Sequence, residues 1–199
     1  LLISFEKKNN LKNVYEYKKI KEIVDISGID WNICTNSEKV WFISKIFDLF
    51  KIIVLIYNSN KKYNIKTVHC RSYLPTFAAY ILKFFIKFNL IFDMRGFWVD
   101  ERYEWSIWSK NKFFYKVLKF VEYKLIKCAD KIIVLCNDAK IELIKNFNVT
   151  DKNITIIPTC ADEKQFFTSK EKYWGDTLNL CHLGTIKTRY DIDFTLRLF

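Results

Sequence analysis

Apolar residues fall along this chain in two patterns: short unbroken runs, and longer segments where they recur every three or four positions. LLISF at the start is an unbroken run and predicts a short buried strand. A charged helix is expected next, from about Leu11 to Val24, and GIDWNIC reads as a second strand. Phe42, Ile46, Leu49, Phe50, Ile53 and Ile56 return at helical spacing and predict a helix over 41–58. IKTVHC is a strand. Ser72 is placed to cap the helix after it, and Pro75 falls in that helix's first turn, where a missing N–H is tolerated. This helix is expected to reach about Phe88, and LIFDM is the next strand. Over 112–128, Phe114, Val117, Leu118, Val121, Leu125 and Cys128 share one helix face, and Lys112, Lys116, Lys119 and Lys127 the opposite one. KIIVLC is a strand, 138–147 a short helix, and ITII a strand ending at Pro158.

Strands thus alternate with helices, and the strands are continuous apolar runs. Such runs are buried on both faces, the mark of a parallel sheet between helix layers. The expected class is α/β: a Rossmann-like parallel sheet covered by helices on both faces, with ligands at the carboxyl ends of the strands. HCRS, DMRG, LCND and PTCAD all lie at such ends. The polar stretch TSKEKYWGDT, 168–177, reads as a linker. LNLCHLG then starts another strand, with a helix from about Asp191. Two domains are expected. The first is 1–170, cut at its start. The second, 171–199, is a linker with the first strand and helix of a domain cut at its end.

Composition narrows the chemistry. Half of the 199 residues are apolar and 18% aromatic, enough for a substantial core. The net charge of +11 favours phosphate-bearing substrates or an anionic bilayer. Most of it is lysine, 28 against five arginines, and scattered surface lysines account for much of the excess. Scarcity makes the arginines informative, because only Arg offers a planar fork to a carboxylate or phosphate. Arg71, Arg95 and Arg102 fall close together. Six cysteines without a C-x-x-C pair read as free thiols in a reducing compartment. The two histidines, His69 and His182, lack ligand-spaced neighbours, so no metal is expected. No secretory signal is visible, and the apolar run 41–57 carries Lys45, Asp48 and Lys51, too many charges for a membrane span. G-x-G-x-x-G and the P-loop pattern are both absent, which argues against a dehydrogenase or a P-loop enzyme.

The densest chemistry lies in FDMRGFWVDERYEW, 92–105. Gly96 permits a sharp turn or a close approach to a ligand. Arg95 and Arg102 suit a phosphate or carboxylate. Asp100 or Glu101 suits a sugar hydroxyl or its proton. The plainer alternative is an Arg–acid network that only fixes a loop. Arg71 ends the strand before, beside Ser72. His69 reads either as a core histidine or as a cleft residue. Trp98, Trp105 and Trp108 suit sugar stacking or packing. The lysines of 112–128 suit an anionic membrane or plain solvent. Gly184, Thr185, Lys187 and Arg189 form a strand-to-helix loop that suits a diphosphate.

Four segments carry a family resemblance: HCRSYLPTFAAY, FDMRGFWVDERYEW, ADKIIVLCNDAKIELI and ITIIPTCADEKQF. In that order and spacing they resemble glycosyltransferases of the two-Rossmann (GT-B) architecture, family 4. RSY followed by DMRGFWVDER is the most specific part and looks like a bacterial subgroup with that signature. Cys136 and Asn137 stand where a serine is usual, and Thr159 and Cys160 replace Asn-Gly. The resemblance implies a retaining transfer of sugar from a nucleotide-sugar donor, which is a substrate and not a cofactor. The acceptor would be lipid-linked or a cell-surface polysaccharide. It implies Arg95, Asp100 and Glu101 in catalytic roles, and Arg71, Ser72, Gly96, Trp98 and Arg102 at the acceptor. Gly184, Thr185, Lys187 and Arg189 would face the donor. Arg95-Gly96 stands where many members have a histidine before glycine. The paired glutamates of the donor domain would lie beyond Phe199, in a further ~150 residues, so the piece alone is expected to be inactive.

Two other classes stay open. One is a non-catalytic nucleotide- or phosphate-binding Rossmann module, or a degenerate transferase. The other is a membrane-surface or nucleic-acid protein driven by charge, although no nucleic-acid motif supports specific reading of DNA or RNA. A cytoplasmic location is expected, with contact at the inner face of the plasma membrane.

Overall fold

The computed structural model describes residues 1–6, 14–35, 41–104, 112–161 and 192–197. In chain order these form β1 (Leu2–Glu6), α1 (Val14–Ile26), β2 (Trp31–Thr35), α2 (Trp41–Tyr63), β3 (Thr67–Arg71), α3 (Tyr73–Leu82) and β4 (Asn89–Asp93). Then come α4 (Trp98–Glu104), α5 (Lys112–Cys128), β5 (Lys131–Val134), α6 (Asn137–Phe147), a 3-10 turn (Asp151–Asn153), β6 (Ile154–Ile156) and α7 (Ile192–Arg197). The class is α/β, parallel sheets flanked by helices, as the unbroken apolar runs require. No helix among the described residues is long and apolar enough to cross a membrane.

The chain divides into two compact units: Leu1–Val68 with Leu74–Phe88, and His69–Tyr73 with Asn89–Phe199. In the first unit β1 and β2 pair in parallel, with Leu2 opposite Trp31 and Glu6 opposite Thr35. The turn from α1 into β2 is made by Gly28 at φ 65, a left-handed position that suits glycine at a helix end. There the Ile29 N–H returns to the Val24 carbonyl at 3.1 Å. Helix α2 runs five residues past its expected end at 58. Its buried face also differs from the expected one. Ser44, Asp48, Ile52, Ile56 and Ser59 are buried, while Ile46 and Phe50 are exposed. A helix apolar nearly all round has no single stripe for periodicity to find. Helix α3 stops at Leu82, short of the expected Phe88. The Phe85 N–H turns to the Leu82 carbonyl, a bond to the third residue back that tightens and closes the last turn.

The second unit holds the sheet ordered β3-β4-β5-β6. Parallel pairing sets Ile91 opposite Lys131 and Ile132 opposite Ile154. Asp130 fixes where β4 and β5 begin. Its carboxylate accepts from the Leu90 N–H at 2.7 Å, and its own N–H reaches the Leu90 carbonyl at 2.9 Å. At the other end, the Ser72 N–H donates to the Asp93 carbonyl (3.0 Å), the Met94 N–H to that of Ile133 (2.8 Å), and the Ile157 N–H to that of Val134 (2.8 Å). The carboxyl ends of all four strands are thereby aligned along one edge. The core of this unit includes Leu90, Phe92, Leu125, Ile126, Ile132, Val134 and Leu143, all nearly or wholly inaccessible. Leu143 is the central anchor of α6. Leu143→Ala should destabilise the fold by about 2–5 kcal/mol, read as a shift in the denaturant midpoint at unchanged slope.

Candidate active site at the strand ends

The strand edge is built by β3, β4 and the segment after β4. Ser72, immediately past β3, has φ 76, a left-handed conformation for a residue with a side chain. An ordinary helix cap has extended backbone, so this position departs from that backbone geometry. Its N–H bond to Asp93 holds the strained position. Arg71 and Arg95 are both exposed here, and neither has an ion-pair partner among the described residues. Asp93 closes β4 with one carboxylate oxygen buried and without a hydrogen-bond partner among the described residues, the other 3.7 Å from His69 Nε2. His69 is exposed, not a core histidine.

After β4 the chain turns at Gly96 and enters α4. Gly96 has no left-handed φ, so its value lies in space: a Cβ there would overlap Glu101 Oε1. Trp98 opens α4, with Arg102 Cζ 5.6 Å from its ring centre. The Glu101 side chain is half-buried and makes no hydrogen bond to another described residue. Asp100 is held on both oxygens, by Tyr115 Oη at 2.7 Å and Lys119 Nζ at 2.8 Å. An acid network therefore does fix this segment. Its partners are Lys119 and Tyr115 of α5, not Arg95 or Arg102.

The network continues inward. Lys119 also donates to Glu122 Oε2, while Glu122 Oε1 lies 2.7 Å from Tyr73 Oη. Tyr73 Oη in turn is 2.9 Å from the Gly96 carbonyl and 3.4 Å from the Trp98 N–H. Its ring packs edge-on against Phe92 at 5.3 Å. The Lys119 ammonium also sits over Phe147 (5.3 Å) and Phe97 (5.8 Å). So α5 turns Glu122, Leu125 and Ile126 inward and leaves Phe114 and Val117 exposed. This corrects the expected apolar face, and it moves Lys119 from a solvated stripe into the site. A paired carboxyl can be buried, and its partners here outweigh the apolar pattern.

The electrostatics follow from these contacts. Burial pushes the Glu122 carboxyl up from its usual range, against the pull of Lys119 and Tyr73. Burial works against the Lys119 charge, but its bonds to Asp100 and Glu122 outweigh it and leave the ammonium more basic than usual. Burial, then Glu122, drives the Tyr73 phenol well up. The hydrogen bond to Asp100, then burial, pushes Tyr115 up to about 12. Burial pushes the Cys70 thiol up to about 12, with Cys128 adding to it.

Among the residues expected to form the site, the structure gathers Arg71, Ser72, Arg95, Gly96, Trp98, Asp100, Glu101 and Arg102 on the strand edge and α4. Gly184, Thr185, Lys187 and Arg189 lie outside the described residues, as do Trp105 and Trp108. Sequence reasoning missed Tyr73, Asp93, Tyr115, Lys119 and Glu122 as site residues. One signal was available: Glu122 is the sole acid in the α5 sequence KFFYKVLKFVEYKLIKC.

A family model described as Glycosyltransferase Family 4 matches residues 26–165, well over half of the chain. The chain belongs to Glycosyltransferase Family 4. The match covers β2 through β6, and so every residue of the strand-edge site described above. A crystal structure of a glycosyltransferase from Rickettsia africae ESF-5 is similar over 70% of this chain at 20% identity, with a TM-score of 0.41. The family 4 chain spans 31% of that structure's length. No curated protein matches it.

The raised Tyr115 phenol gives a pH test. The folded state holds the proton more tightly than the unfolded one. Its stabilisation is therefore complete below the ordinary phenol range and is lost as pH rises through about 12. Difference absorbance against Tyr115→Phe should show one phenol titrating at about 12. Asp100→Asn should bring it down toward the ordinary range, because the bond to Asp100 is the largest cause.

Proposed function

We propose that this family 4 chain forms the acceptor-side part of a retaining glycosyltransferase. It would move a sugar from a nucleotide-sugar donor to a lipid-linked or cell-surface polysaccharide acceptor. The observation that carries this reading is the pair of exposed arginines, Arg71 and Arg95, without an ion-pair partner among the described residues, at adjoining strand ends beside a rigidly held acid segment. A planar guanidinium fork suits the phosphates of a lipid-linked acceptor or of the donor. The RSY and DMRGFWVDER stretches support a bacterial subgroup with that signature.

The roles divide by what each side chain already touches. Asp100 spends both oxygens on Tyr115 and Lys119, so it acts by holding α4 in place. Glu101, without a hydrogen-bond partner among the described residues, is the carboxylate available to an acceptor hydroxyl, with Arg95 on the same edge to meet negative charge. Arg71, Ser72, Gly96, Trp98 and Arg102 would line the acceptor, the Trp98 face meeting a sugar ring. Gly184, Thr185, Lys187 and Arg189 would meet the donor diphosphate. In this reading residues 1–170 form the acceptor-side domain and 171–199 open the donor-side one. No resident cofactor or metal enters the scheme.

The exposed face of α5 supports contact with an anionic membrane at the cytoplasmic side. Phe113 (77% exposed) and Phe120 (60%) are one heptad apart, flanked by exposed Lys116, Lys124 and Lys127. That face carries no acid, since Glu122 points inward. Aromatic side chains at headgroup level with lysines reaching phosphates fit an interfacial helix.

Two experiments test the reading. On the full-length protein, a panel of nucleotide-sugars should release nucleotide with at least one acceptor extract. Arg95→Ala and Glu101→Ala should each lower turnover by at least about tenfold with the fold preserved. Donor binding without sugar transfer would replace this reading with the non-catalytic module. Second, the protein should sediment with vesicles containing phosphatidylglycerol and not with neutral ones. Phe113→Ser with Phe120→Ser, or high salt, should reduce that binding by about tenfold or more.

A further inference from the structure

Tyr73 has one phenolic hydrogen and two oxygens within hydrogen-bond distance of its own: Glu122 Oε1 at 2.7 Å and the Gly96 carbonyl at 2.9 Å. A carbonyl only accepts, and so does an ionised carboxylate. With Glu122 ionised, one of these contacts would set lone pair against lone pair in a buried site. The Trp98 N–H cannot fill the gap, since it already points its hydrogen toward Tyr73 Oη. One further hydrogen is needed, and Glu122 Oε1 is the atom that can carry it.

Charge points the same way. Lys119 is the cation of this cluster, and it contacts two carboxyls, Asp100 and Glu122. Asp100 is about one-third exposed and accepts from both Tyr115 and Lys119, so it is the natural anion for that ammonium. The Glu122 side chain is wholly inaccessible. A second charge there would leave a buried cluster with one cation and two anions, an unfavourable excess in low dielectric. The groups around Glu122 are Tyr73 from α3, Asp100 from α4, and Lys119 and Tyr115 from its own helix. From α6, Phe147 faces Lys119 with an uncharged ring.

We propose that Glu122 is a positioning residue that works as the neutral acid. Its proton completes a chain, Glu122 Oε1–H to Tyr73 Oη and Tyr73 O–H to the Gly96 carbonyl, which fixes the turn at Gly96 and the start of α4. Lys119 donates to the other Glu122 oxygen and carries the tie on to Asp100. The turn bears Arg95, and α4 bears Trp98, Glu101 and Arg102, so one proton sets the placement of the strand-edge side chains. The function given to that edge rests on the reading above; the proton on Glu122 does not.

The sign of the pH effect follows. The folded state binds the Glu122 proton more tightly than the unfolded chain. The contribution to stability is therefore complete below the ordinary carboxyl range and declines as pH rises through the raised value. Glu122→Gln supplies an amide N–H to Tyr73 and a carbonyl to Lys119, so it should reproduce the arrangement without titrating. Glu122→Ala should not.

Infrared spectroscopy of the whole chain near neutral pH reads the proton directly. The wild-type protein should show a protonated-carboxyl C=O band that E122Q lacks, and this band should fade as pH rises. In parallel, E122Q should fold, with a folded-to-unfolded ratio that is flatter with pH than that of wild type. At low pH the two should agree within about twofold. The absence of the band in wild type, its persistence in E122Q, or failure of E122Q to fold would each overturn the proposal. None of these readouts needs sugar transfer, so a failed donor panel and a failed proton assignment are separate results.

Discussion

The structure around the strand edge depends on burying one carboxyl group. Glu122 sits in the middle of an otherwise apolar helix face, where an acid is tolerated only if its polar atoms are met. Tyr73 from the start of α3 and Lys119 from the preceding turn of α5 meet them. The Tyr73 contact joins the end of β3 to a helix more than forty residues further along the chain, and Lys119 carries the tie on to Asp100 of α4. The orientation of α5, the turn at Gly96 and the seating of α4 all follow from that junction.

Rigid and available groups are separated across this edge. Tyr73, Asp100, Tyr115, Lys119 and Glu122 are engaged with one another, and their rotamers are set by packing and hydrogen bonds. Arg71, Arg95 and Glu101 have no such partner among the described residues. A site that must meet a charged, hydroxyl-rich ligand gains from this division, because the free groups are held by a framework that need not rearrange. Under the function proposed above, this division would serve a transfer that has to recognise both phosphates and hydroxyls.

The limits of pattern reading show at particular residues. In α2 the apolar residues run nearly round the helix, so spacing gave the element but not its face; Ser44 and Asp48 turned inward while Phe50 stayed out. In α5 the amphipathic pattern was clear, yet the observed face is rotated toward Glu122, because a long-range partner on α3 exists to receive it. Ser72, next to α3, takes a left-handed conformation with its N–H bonded across to Asp93. In each case a contact between residues distant in the chain decided the outcome, and no local window contains it.

By itself the sequence determined the class of fold and the location of the chemistry. Unbroken apolar runs must be covered on both faces, and polar clusters at their ends must lie on one edge of a parallel sheet. It also singled out the arginines, because a chain this rich in lysine spends few positions on a guanidinium. Only the tertiary structure decided which acid is free and which is tied. Asp100 and Glu101 are neighbours of the same chemical type, indistinguishable by spacing. Lys119 and Tyr115 reach Asp100 because α5 packs against α4, and that packing is fixed by the burial of Glu122.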